Sequence, residues 1–167
     1  INHRALRHEA PEPITEMGHW RLYAPCDQAD ETTCRLLQRI AQLPAAADRK
    51  AALAALVKLV QVAASGKPLQ VFYDEKQCHE LHRFNYCGHE RVVWRIRKGD
   101  IRIAFLYGQG RIVFLADAFA KRKDRLTRAE QSALERAVSA FIDAELTGAL
   151  APFASPRAGT TQQEPES

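Results

Sequence analysis

The 167 residues are 46% hydrophobic and 26% charged, an ordinary globular composition that excludes wholesale disorder and collagen-like repeats. That length suits one domain with terminal extensions and allows a core without covalent staples. The formal net charge of +4 is unevenly placed: from 91 to 128 eleven Lys/Arg stand against three Asp, a net of +8, while the rest of the chain holds 13 positive and 17 negative groups. One basic segment on a neutral-to-acidic body predicts a surface for a polyanion.

Four cysteines, Cys26, Cys34, Cys78 and Cys87, are too few and too scattered for a secreted scaffold. The basic start has no apolar segment of the signal-peptide kind, and the apolar run 51–64 is broken by Lys58 and Gln61. A reduced, cytoplasmic protein with no membrane partner is expected.

Residues 1–18, with Pro11 and Pro13 and no periodicity, read as a flexible leader. His19 to Ala24 alternates and stops at Pro25, which predicts a short edge strand. Asp30 is placed to cap a helix with Cys34, Leu37, Ile40 and Ala41 on one stripe, ended by Pro44. A second helix is expected over 48–65 with a stripe of Leu53, Leu56, Val57, Val60 and Ala64, closed by Gly66-Lys67-Pro68. So short a connection predicts a helical hairpin. Residues 69–88 read as a strand fragment at 71–73 and then a loop rich in Cys and His.

The next segment is the most regular. Residues 92–97 and 101–107 alternate around Gly99-Asp100, a two-residue hairpin signal. Pairing Lys98 with Ile101 sets Arg97 opposite Arg102 and Arg95 opposite Ala104 on one side, with Trp94 opposite Phe105 and Ile96 opposite Ile103 on the other. One face is then apolar, and the other carries guanidinium groups that should point to solvent. A third strand over 111–119, a basic loop at 121–125, and a helix opened by the capping box Thr127–Glu130 follow. That helix has a stripe of Leu134, Ala137, Val138 and Phe141, and residues 149–167 read as a disordered tail. The class is α+β.

Four stretches recur in a familiar order: Glu80-Leu81-His82, Val93-Trp94-Arg95-Ile96-Arg97, Gly99-Asp100-Ile101-Arg102-Ile103-Ala104-Phe105, and residues 112–122 ending in Ala120-Lys121-Arg122. With the sequence of elements, they resemble the RelE/HigB-type toxins of bacterial type II toxin–antitoxin modules, and in particular the phage-derived HigB-like branch. The likeness spans about residues 19–145. Arg95 stands where that branch often has Glu, and Ala116-Asp117-Ala118 replaces a His-Gly stretch. The resemblance implies a RelE-like domain over 19–148: a small antiparallel sheet packed with an N-terminal helical hairpin and a C-terminal helix. It also implies a metal-independent, ribosome-dependent mRNA endoribonuclease that inhibits translation and uses no cofactor. In that reaction the RNA 2′-hydroxyl attacks the adjacent phosphate and leaves a cyclic phosphate and a 5′-hydroxyl end. The implied partners are mRNA, the ribosome and a small helix-turn-helix antitoxin.

Chemistry without a metal needs charge stabilisation from side chains, and guanidinium groups grip phosphate oxygens in pairs. Arg102 is the first catalytic candidate, then Arg122, Arg95 and Lys121, with Arg97, Lys98, Lys123 and Arg125 as RNA-binding residues. His82, among His79, His82 and His89, is the candidate acid/base. Two other readings compete. Cys78, His82, Cys87 and His89 suggest a zinc-bearing nucleic-acid module. A non-enzymatic toxin of the ParE type, inhibiting DNA gyrase, would use a surface on the helices instead.

Overall fold

The computed structural model describes residues 2–6, 19–26, 33–121 and 125–152. In chain order these form β1 (Asn2–Leu6), β2 (Arg21–Cys26), α1 (Arg35–Ala41), α2 (Ala46–Ser65), a 3-10 turn (Leu69–Val71), β3 (Cys78–Tyr86), β4 (His89–Lys98), β5 (Ile101–Gly108), β6 (Ile112–Ala120), α3 (Arg128–Leu146) and β7 (Ala151–Pro152). The strands build a mixed sheet in the order β3-β4-β5-β6-β2-β1-β7. The class is α+β, as expected. Among the described residues no helix is long and apolar enough to cross a membrane.

The β4–β5 hairpin pairs in the register expected from its alternation, from Trp94 with Phe105 to Lys98 with Ile101. β6 continues the meander antiparallel to β5, with a bulge between Ala104 and Phe105. Thr127 and Glu130 form the expected capping box, the Thr127 side chain accepting from the Glu130 backbone at 3.2 Å. Gly66 closes α2 with φ +68°, the left-handed conformation glycine adopts without a Cβ penalty.

Elsewhere the structure differs. β2 is an interior strand, not an edge: it lies parallel to β6 and antiparallel to β1. Its ladder to β6 ends at Tyr23, before Pro25, and Leu22, Ala24 and Cys26 are buried against one layer while Tyr23 is buried against the other. This parallel pairing makes the sheet mixed where an antiparallel one was expected. Asn2–Leu6 and Ala151–Pro152, read as leader and tail, add β1 and β7; residues 7–18 and 153–167, and the Asp30 cap, lie outside the described residues.

Residues 78–86, read as a loop, are a nine-residue edge strand. The turn to β4 is Cys87-Gly88 with φ +51° and +74°, the two left-handed residues of a primed hairpin turn. The strand was invisible because an edge strand is half-exposed on both faces and this one has its period broken by a bulge at Leu81. The strand fragment expected at 71–73 does not form: Leu69–Val71 make a 3-10 turn that ends at Phe72.

Two layers cover the sheet. α1 and α2 pack on Leu22, Ile103, Phe105 and Leu115. α3 packs on Tyr23, Leu106 and Phe114, with the Phe114 and Phe141 rings stacked at 4.4 Å. α2 buries Ala52, Ala55, Leu56, Leu59, Val62 and Ala63, so the expected stripe is rotated and Leu53 and Val57 are 48% and 57% exposed. Small alanines let the helix axis approach the sheet, and in a helix this apolar the close-fitting face wins over the bulkier one.

Candidate active site

With helices on both sides, β5 is buried along both faces. The guanidinium face expected in solvent is therefore largely enclosed. Arg102 is 5% exposed and Arg95 8%. They sit on one side of adjacent strands, Arg95 opposite Ala104 and Arg102 opposite Arg97 and Phe119. Both line a cavity of about 210 Å³ closed by Leu81, Phe119 and the segment leading into α3.

The bonding of these two arginines is incomplete. Arg102 Nη1 donates to the carbonyls of Gly99 at 2.7 Å and Ile101 at 3.0 Å, while its buried Nε has no partner. Arg95 Nη2 reaches His79 Nε2 at 2.8 Å, while its Nη1 is buried with no partner. Among the described residues no carboxylate pairs with either. Burial pushes both guanidinium pKa values down, and the charge of Arg97 adds to the effect on Arg95, as those of Arg95 and Arg97 do on Arg102. Desolvated cations crowded together with no carboxylate bonded to them are costly, and each buried donor left unbonded adds to that cost. An anionic ligand would offset both.

His79 stands opposite Arg95 across the β3–β4 ladder. Arginine has no acceptor, so His79 Nε2 must offer its lone pair to Arg95, and Nδ1–H donates to the Glu75 carbonyl at 3.2 Å. The ring is held in one neutral tautomer with its basic nitrogen at the cavity. His82, the expected acid/base, is elsewhere: its Nε2 lies 2.7 Å from Glu135 Oε1 on α3, and it does not line the cavity. The bulge at Leu81 separates the two histidines in register. A regular ladder running back from the Cys87-Gly88 turn would set Glu80 against Arg95; the bulge at Leu81 brings His79 to that place instead.

Of the other expected residues, Lys121 and Arg125 line the same cavity, and the Lys121 backbone N–H donates to the Asp100 carbonyl at 2.7 Å. Arg97 and Lys98 are exposed at the β4–β5 turn and line a different cavity. Arg122 and Lys123 lie outside the described residues. Cys78, His82, Cys87 and His89 are strung along an extended hairpin at roughly 3.3 Å per residue, and among the described residues no three His, Cys, Asp or Glu come together as a metal site.

The arrangement suits a phosphodiester: two guanidinium groups with unused donors, a neutral imidazole lone pair beside them, and Lys121 and Arg125 along a wall whose two carboxylates, Glu80 and Glu130, are engaged by Arg83 and by the Thr127 backbone N–H. Comparison with family models, curated proteins and solved structures finds no match.

Proposed function

We propose that the protein is an RNA-cleaving toxin of the RelE/HigB-like kind, acting on mRNA at the cavity of Arg95 and Arg102 without a metal ion, and held in check by a small antitoxin. The observation that carries this reading is the pair of buried guanidinium groups with unbonded nitrogens. A scissile phosphate entering the cavity takes up Arg95 Nη1 and Arg102 Nε and neutralises their charge. Arg95 turning toward the phosphate releases His79 Nε2, whose lone pair accepts the proton of the attacking 2′-hydroxyl. The 2′-oxygen–phosphorus bond forms, the bond to the 5′-oxygen breaks, and the 5′-oxygen takes a proton from water at the cavity mouth. Charge developing on the phosphoryl oxygens is met by donors already in place, the arrangement that makes electrostatic stabilisation effective.

The test is primer extension on a reporter mRNA in a translation extract, reading 5′-hydroxyl ends, with Arg102→Met beside wild type. Cleavage should fall roughly 10²–10³-fold with one preorganised donor removed. Undiminished cleavage removes Arg102 from the site. Growth arrest without RNA ends favours the gyrase-directed alternative, for which Leu53 and Val57 supply an exposed apolar helix face.

A further inference from the structure

A second cavity, of about 480 Å³, opens beside the same hairpin turn, lined by Lys58 of α2, Tyr73, Asp74, Lys76, and Arg97 and Lys98 of β4. Among the described residues none of its four cations is in an ion pair. Its one acidic side chain, Asp74, folds inward, Oδ1 accepting from the backbone N–H groups of Lys76 at 2.9 Å and Gln77 at 2.8 Å. Lys58 Nζ sits 4.4 Å from the Tyr73 ring centroid and donates to the Phe72 carbonyl at 3.3 Å, so α2 holds this ammonium at the cavity.

Tyr73 supplies the second observation. The residue is 6% exposed, and its hydroxyl is buried with no hydrogen-bond partner. A buried hydroxyl without a partner carries a desolvation penalty that a structural role does not explain. Burial pushes its pKa up to about 12, so it is a proton donor throughout the physiological range.

Gly99 lines the second cavity, and its carbonyl accepts from Arg102 Nη1 at 2.7 Å and from Arg97 Nε at 3.4 Å. Arg102 belongs to the first cavity and Arg97 to the second, so one carbonyl at the hairpin turn ties a cation of each cavity to the other. We propose that the second cavity holds a flanking phosphate of the same RNA strand, gripped by Lys58, Lys76 and Arg97 with the Tyr73 hydroxyl as a donor. This rests on the RNA reading of the first cavity and extends it: the protein reads a run of backbone, and α2 belongs to the RNA interface.

The experiment measures anisotropy of two labelled RNAs, a dinucleotide and a decanucleotide, both 2′-O-methylated so that they are not cut. For Lys58→Ala/Lys76→Ala, decanucleotide affinity should fall about tenfold and the slope of log affinity against log salt should shrink by about 0.7 for each phosphate no longer neutralised, with the dinucleotide unaffected. Tyr73→Phe should weaken decanucleotide binding roughly tenfold, as removal of a donor to a charged group does, while raising the melting temperature. A merely structural tyrosine would not move the two readouts in opposite directions. Arg95→Met/Arg102→Met should weaken both probes. Decanucleotide affinity and salt slope that survive the Lys58 and Lys76 changes, with the arginine variant still impaired, overturn the second cavity alone. Wild-type protein that binds neither RNA overturns both readings.

Discussion

The β3–β4 hairpin carries arginines in two opposite states. On β3, Arg83 is held by Glu80 and Glu90, exposed, with its pKa raised by those bonds. Nearby His82 is bonded to Glu135 and Tyr86 to Asp143, at 2.7 and 2.6 Å, so this end of the hairpin is pinned to α3 by polar pairs within the protein. Toward the other end, Arg95 is buried beside Arg102 with no carboxylate bonded to either and nitrogens left unbonded. The same residue type is satisfied within the protein where its partner is built in, and keeps unbonded donors where the partner is left out. Burial without a partner, more than the presence of arginine, marks the site.

The largest effect should come from replacing both unpartnered arginines. Arg95→Met/Arg102→Met should lower RNA cleavage by more than the roughly 10²–10³-fold of one donor. Its melting temperature should hold or rise, since apolar replacements of buried charges are often neutral or stabilising. A thermal melt showing a large drop in stability would mean that the arginines hold the fold instead.

Next comes the histidine pair. His79→Gln should cut cleavage by about 10²–10⁴-fold, the range of a general base. His82→Gln should leave the cleavage rate near wild type and act on the melt, because the charge-assisted bond to Glu135 is weakened. If the two variants exchanged these behaviours, the register of β3 would be at fault.

Arg83→Ala sharpens the contrast from the structural side. An exposed ion pair contributes little, so cleavage and RNA affinity should stay at wild-type values, with a small drop in melting temperature that vanishes at high salt. A fall in RNA binding comparable to that of Arg95→Met would erase the distinction between the two ends.

The smallest effect concerns Asp117 on β6, a half-buried carboxyl. Burial raises its pKa, only partly opposed by Arg39, whose Nε donates to Oδ1 at 3.2 Å. A carboxyl whose folded pKa is raised favours the fold in its protonated form. Its contribution is therefore complete below the unfolded value of about 3.9 and is lost as pH rises through that value toward the folded one. Asp117→Asn cannot ionise, so its melting temperature should gain on wild type as pH climbs from 3 to 7. A difference independent of pH would show that the carboxyl ionises normally.

Much of the fold was written locally. Alternation with a Gly-Asp turn sets the β4–β5 register, because a one-residue slip would turn every apolar side chain to the wrong face. The Thr127–Glu130 capping box and Gly66 mark helix ends through hydrogen bonds and dihedrals within a few residues. The clustering of Arg95, Arg102, Lys121 and Arg125 also follows from the order of strands and the basic loop. Other features depended on what packs from far along the chain. Pro25 looked like the end of an edge strand, yet β6 and β1 enclose β2. Leu53 and Val57 have the spacing of a core stripe, but the alanine face fits the sheet and leaves them outside. His79 and His82 are equivalent in sequence until a bulge divides them and the partners Arg95 and Glu135 arrive from other elements. Arg102 alternates as a solvent-facing residue should, and only the covering of the second face of β5 turns it into a buried cation awaiting an anion. Period and turn chemistry act over a few residues and can be read from them; burial is a property of the assembled layers, and it is burial that separates Arg95 and Arg102 from the exposed Arg83.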